Sequence, residues 1–209
     1  MHVYAIRGKT LQTTFRFHYS RGRKITVSTV LENSFFNRHV VEVAQQLIGA
    51  TLCIDGVGGI IVETEAYHQS DVASHSFIGQ TLRNASMFGP AGNAYVYRSY
   101  GIHFCINIVC ERGSAVLIRA IEPRSGIDTM RQRRKTQDVK MLCAGPGRLS
   151  QALAVTASLD GRCVLDLPFE LRLGHPAHVV SGPRIGISRA TEMRWRFGLK
   201  NSPFVSRKF

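Results

Sequence analysis

Between Ile60 and Asn107 the chain carries Glu63, Glu65, Tyr67, His75, Tyr95, Tyr97, Tyr100 and Asn107. Carboxylates accept protons and stabilise developing positive charge. Aromatic faces attract flat, electron-poor rings by stacking and cation–π attraction. Within a chain of net charge +13, the combination points to a basic protein that grips phosphates while an acid-bearing aromatic pocket acts on something flat. Residue type alone leaves other readings open. Glu63 and Glu65 are equally two solvated strand carboxylates, His75 a satisfied structural histidine, and Tyr100 a core tyrosine at a strand end.

The elements that position these groups are short and extended. In Ile60-Ile61-Val62-Glu63-Thr64-Glu65-Ala66-Tyr67 alternation puts Glu63, Glu65 and Tyr67 on one side and Ile60, Val62 and Ala66 on the core side. Ala94 to Tyr100 carries tyrosines at a spacing of two and runs into Gly101, a natural reversal point. The return run alternates Ile102, Phe104, Ile106 and Ile108 against His103, Cys105 and Asn107. This predicts a β-hairpin with Tyr100 near its tip, where an aromatic ring needs something to insert into.

Around this centre, the apolar spacing from Ser34 to Ile48 predicts one helix, with Ser34 as N-cap and Gly49 as its stop. Strands are predicted at about Thr51 to Ile54, Gly59 to Tyr67 and Ala115 to Glu122, and short ones at Cys163 to Leu167, His178 to Val180 and Arg184 to Ser188. Gly126 to Lys140 is helix-compatible and a second short helix spans Arg148 to Leu153. Many short strands with few helices argue an α+β fold: a single domain around a curved, largely antiparallel, open barrel-like sheet with a few flanking helices and a protruding hairpin.

Length suits one domain. Residues 1–30 read as a basic N-terminal arm of low order, and 31–209 as the folded domain. No run approaches the roughly 20 apolar residues that span a bilayer, and early Arg7 and Lys9 break any signal-peptide core, so a cytoplasmic protein without membrane attachment is expected. Five cysteines without paired spacing suit reduced, buried thiols. Positive charge clusters in the arm, at Arg131, Arg133, Arg134, Lys135 and Lys140, and at Arg184, Arg189, Arg194, Arg196, Lys200, Arg207 and Lys208. A polyanion partner accounts for such clusters through counterion release, whereas solvated faces account for them without one.

Several stretches together resemble the alkyladenine (3-methyladenine) DNA glycosylase family. They are Ile61 to Tyr67, Ala73-Ser74-His75, Thr81 to Asn84 with Met87-Phe88, Tyr95 to Asn107, Val116 to Pro123, Gly145 to Leu149 and Arg184 to Ile187, in family order from about Phe35 to Ser206. The first thirty or so residues lie outside the match.

The resemblance implies the same mixed fold and a base-excision-repair enzyme. Such an enzyme flips alkylated or deaminated purines out of duplex DNA and hydrolyses the N-glycosidic bond with a Glu-activated water, leaving an abasic site. By motif position it implies Glu65 as the base that activates water, with Arg119 and the backbone carbonyl of Ile185 also holding that water. Tyr67 would stack on one side of the flipped base, with His75 and Tyr97 opposite, and Asn107 would exclude normal guanine by clash. Tyr100 would fill the gap in the base stack. With no lysine beside this constellation, a monofunctional enzyme is expected. No metal or organic cofactor is expected. The partner is double-stranded DNA bearing damaged purines, and the chain is expected to act as a monomer. Two rivals remain at this point. Glu63, Glu65, Asp71 and His75 form a metal-dependent nuclease or phosphatase site in one; in the other the chain is a non-catalytic nucleic-acid-binding module.

Overall fold

The computed structural model describes residues 31–175 and 177–209. The basic arm therefore lies outside the described residues. Among the described residues eight strands form a single antiparallel sheet: β1 (Thr51–Ile54), β2 (Val57–Tyr67), β3 (Ala94–Ser99), β4 (His103–Val109), β5 (Ala115–Ser125), β6 (Phe169–Arg172), β7 (Val179–Gly182) and β8 (Arg196–Leu199). The order is β3-β4-β5-β2-β1-β6, with β8 pairing both β2 and β7. The α-helices among the described residues are short and flank it: α1 (Asn33–Phe36), α2 (Val40–Gln46), α3 (Ile127–Arg134), α4 (Val139–Leu142) and α5 (Pro146–Ala152). The architecture is the expected α+β, a curled sheet around one core.

β2 is the central strand. Its first half pairs with β1, its length with β5, and its second half with β8, so Glu63 and Glu65 lie against Gly198 and Arg196. The β2–β5 register skips Val62 on one strand and then Arg119 on the other, a pair of irregularities across which the side-chain phase of β2 turns. Ile61, which alternation alone places on the other side, enters the main core together with Ala66, while Val62 is fully buried outside that cluster and Ile60 is half-buried. Thr64, on that same side, donates Oγ1 to Ala44 O at 2.9 Å and ties the strand to α2. Glu63, Glu65 and Tyr67 take the opposite side. A close strand crossing accompanies the bend: a Cβ at Gly59 would stand 1.9 Å from Glu122 O, so only glycine fits.

One face of the sheet buries Ile106, Ile108, Ile118 and Ile121 against Val43, Leu47, Met130 and Leu149 of the helices. The other carries a smaller cluster of Met87, Tyr95, Val109 and Ala115, against which Tyr67 and Tyr97 pack. The molecule is thus divided between a helix-covered core and an aromatic face.

Several expectations change in detail. The helix predicted from Ser34 to Ile48 is two, because Asn37 leaves helical geometry (φ −75°, ψ 57°) and Arg38 closes the break by donating Nε to Phe35 O at 2.8 Å. Gly49, at φ +90°, does end the second. Cys163 to Leu167 makes only an isolated bridge, Asn93 to Cys163. Arg184 to Ser188 is a loop, since Arg184 and the Ile185 N–H are engaged by Asp71, Ala66 and Glu65 and not by a strand neighbour. Conversely, β6 and β8 were not expected. They are four residues long, and β8 begins on an inward-pointing arginine.

Candidate active site

A cavity of about 920 Å³ opens on the aromatic face, within the usual range for small-molecule sites. Among the residues lining it are Tyr67, His75, Tyr97, Tyr100, Asn107, Arg119 and Ile185. These come from β2, β3, β4, β5, the β3–β4 turn and two loops, so seven of the eight expected site residues converge on one space. The eighth, Glu65, lies immediately behind the wall. It is fully buried, and the three groups touching its carboxylate all belong to lining residues.

Tyr67 donates its hydroxyl to Glu65 Oε2 at 2.8 Å, Arg119 Nη1 stands 3.2 Å from the same oxygen, and the Ile185 N–H donates to Oε1 at 2.8 Å. Ile185 thus holds this carboxylate through its backbone amide. Oε1 keeps one acceptor lone pair beyond the Ile185 bond. Burial pushes the Glu65 pKa up, opposed by the Arg119 charge and the bonds from Ile185 and Tyr67. A carboxylate raised in this way is suited to taking a proton. Burial, then the charge of Glu65, drives the Tyr67 phenol well above its usual range, so the phenol remains the donor in their bond.

His75 sits on the loop after β2. Its ring meets Tyr97 edge-on, centroids 4.6 Å apart, and its Nδ1 lies 2.9 Å from the Tyr95 hydroxyl. Burial and the nearby Arg83 charge lower its pKa, so the ring is neutral at pH 7. Asn84 holds the loop: its Nδ2 donates to His75 O (2.8 Å) and Gly79 O (3.0 Å), and its Oδ1 accepts from Thr81 N. Asn107, buried, donates Nδ2 to Tyr95 O across the β3–β4 pair at 2.9 Å.

The hairpin tip is a two-residue turn. Tyr100 and Gly101 both have positive φ (50° and 68°), and Ile102 N donates to Ser99 O, as in a type I′ turn. Tyr100 is 82% exposed beside the cavity mouth. A tyrosine in left-handed geometry is strained as well as wet, the kind of local cost that gathers at functional positions.

The sequence reading missed the charges beneath this floor. Glu63 is fully buried between Arg196 Nη1 (2.8 Å) and Arg119 Nε (3.4 Å). Arg184 is buried against Asp71, donates Nη1 to Ala66 O at 2.9 Å, and lays its guanidinium over the Tyr67 ring at 4.7 Å. Arg184 and Arg196 are therefore internal and leave the set of phosphate-binding candidates. In the α3 cluster, Arg131 pairs with Asp128 and Arg133 and Arg134 donate to Ala152 O and Leu142 O. Exposed cations nearer the cavity are Arg83, Arg98 and Arg189. The metal reading of Glu63, Glu65, Asp71 and His75 loses its ligands, since Glu63 and Asp71 already face guanidinium groups that repel a further cation. Burial pushes the Cys105 thiol up, which suits a packing residue.

A family model for methylpurine-DNA glycosylase matches residues 34–203. A relative from Agrobacterium fabrum is 58% identical over 183 residues, spanning 87% of this chain and 95% of its own. Others from Rhizobium meliloti (57% over 176 residues; 84% and 95%) and Nitrosospira multiformis (56% over 178; 83% and 92%) are as similar. All three are named for 3-methyladenine DNA glycosylase activity. The chain belongs to the methylpurine-DNA glycosylase family.

Proposed function

We propose that this protein is a monofunctional DNA glycosylase that removes damaged purines, 3-methyladenine among them, from duplex DNA. The observation that carries the reading is the meeting of a buried, proton-seeking carboxylate with an aromatic cavity whose mouth holds an exposed tyrosine.

A purine in a duplex cannot reach Glu65, so the nucleotide must rotate out, a step costing a few kcal/mol and cheapest at damaged or mispaired bases. Tyr100 enters the vacated stack. The purine stacks against Tyr67 on one face, with His75 and Tyr97 on the other. Arg184 stands against the Tyr67 ring and holds this wall upright. Since His75 is neutral, it does not repel a cationic alkylated base. Asn107, fixed by its bond to Tyr95 O, crowds a normal guanine amine.

In the chemical step the C1′–N bond breaks and its electron pair goes to the base nitrogen. Water oxygen forms the new bond to C1′, and the water's proton passes to the free lone pair of Glu65 Oε1. Arg119 favours the ionised form of Glu65 beforehand, against the effect of burial. Tyr67, Arg119 and Ile185, lying between Glu65 and the cavity, set the water's path. With no lysine amine among the described residues lining the cavity, the reaction stops at the abasic site. The reaction as drawn asks for no group from a second copy of the chain.

The test is a panel of duplexes each carrying one lesion (3-methyladenine, 7-methylguanine, hypoxanthine or ethenoadenine), assayed for free base in EDTA. Base release without strand nicking is expected. Nicking that traps covalently with borohydride would contradict the monofunctional assignment, and loss of activity in EDTA would favour a metal enzyme.

A further inference from the structure

We propose that the segment Ser206–Phe209 is a positioning element of the catalytic centre: it completes the buried ion network under the cavity and thereby fixes Arg119 against Glu65. This rests on the reading of Glu65 as the group that activates water.

Glu63, Glu65, Arg119 and Arg196 form a buried quartet of two negative and two positive charges. The segment closes it from outside. The Ser206 N–H donates to Glu63 Oε2 at 2.5 Å, on the carboxylate oxygen that neither arginine uses. Arg196 donates Nη1 to Arg207 O at 2.9 Å and Nη2 to Lys208 O at 3.2 Å, and the Phe209 ring lies 3.8 Å from its guanidinium carbon. A seat exists for that ring: a Cβ on Gly198 would stand 2.2 Å from Phe209, and one on Gly182 3.1 Å. The link to the cavity is direct, because Arg119 Nη2 donates to Ser206 Oγ at 3.4 Å.

Arg119 is thereby gripped on three sides, by Glu65, Glu63 and Ser206. Its Nε has no good hydrogen bond and lies only within ion-pair range of Glu63, so Ser206 is the partner that sets the tilt of the guanidinium plane. A guanidinium free to swing toward the cavity holds Glu65 less firmly in its ionised form. The groups facing Glu65 are Arg119, Tyr67, Glu63, Tyr97, Cys105 and the Ile185 N–H, and Arg119 is the cation among them.

The experiment compares the full chain with Ser206→Ala, Ser206→Thr and Gly198→Ala, the last displacing Phe209 without touching a catalytic group. It measures single-turnover base release against pH, duplex affinity, melting temperature, and Glu65 titration by carbon NMR of labelled glutamate. Ser206→Ala and Gly198→Ala should move the acid limb and the Glu65 titration upward by about half to one pH unit, a roughly three- to tenfold loss on that limb. Duplex affinity should hold, and Ser206→Thr should restore the wild-type profile. Unchanged titration and unchanged excision in both Ser206→Ala and Gly198→Ala would overturn the proposal. If the wild type releases no damaged base while the Glu65 titration still moves, the coupling stands and the excision reading fails.

Discussion

The Tyr67 hydroxyl donates to Glu65 Oε2 at 2.8 Å, joining the ring proposed to stack on the base to the carboxylate proposed to activate water. Removing that hydroxyl as Tyr67→Phe keeps the stacking face and deletes one bond that favours ionised Glu65. Because burial already raises this pKa, the acid limb of excision should lie above the ordinary carboxylate value, and Tyr67→Phe should move it higher still. For stability the sign is opposite: a carboxylate whose folded pKa is raised contributes stability at low pH that is lost as pH rises through the folded value. A pH–rate profile checks the limb; one at the ordinary carboxylate value, unmoved in Tyr67→Phe, would contradict the coupling.

Tyr100 combines positive φ with near-complete exposure. Left-handed geometry costs a non-glycine residue roughly 1–2 kcal/mol, so Tyr100→Gly should leave the melting temperature unchanged or raised. Excision from duplex DNA should fall while that from single strands is spared. Equal duplex activity would remove Tyr100 from the flipping step.

Asn107→Ser shortens the side chain that crowds normal guanine and breaks its bond to Tyr95 O. Release of undamaged guanine should rise above the wild-type background. A background that stays flat sinks this role.

Asp71 and Arg184 form an ion pair with both side chains fully buried. Asp71→Asn leaves a buried cation without its partner, and breaking such pairs costs about 3–5 kcal/mol. Thermal or urea unfolding should show this loss. A variant as stable as wild type would mean that Arg184 is neutralised elsewhere.

Much of this arrangement was legible in the sequence because its signals are local. Tyr100-Gly101 marked the hairpin tip, and alternation put Glu63, Glu65 and Tyr67 on one side. The same alternation failed one step earlier, at Ile60 and Ile61, because the shift in register is imposed by the pairing of β2 with β5 and leaves no local mark. Arg184 and Arg196 looked like DNA-binding charge because their partners, Asp71 and Glu63, are 113 and 133 positions away. The depth of Glu65 was equally hidden: period-two patterning says which face a side chain takes, not how much of the fold then closes over it. Ser206 offered no signal beyond an ordinary serine near Phe204 and Arg207.

The most direct test is release of free base from a lesion-bearing duplex by the wild type and by Glu65→Gln, which keeps the shape of the side chain but cannot take the water's proton. Loss of a general base typically costs roughly 10²- to 10⁴-fold, and a fall of that size with duplex binding intact is the expected result. Base release by Glu65→Gln at the wild-type rate would contradict the account.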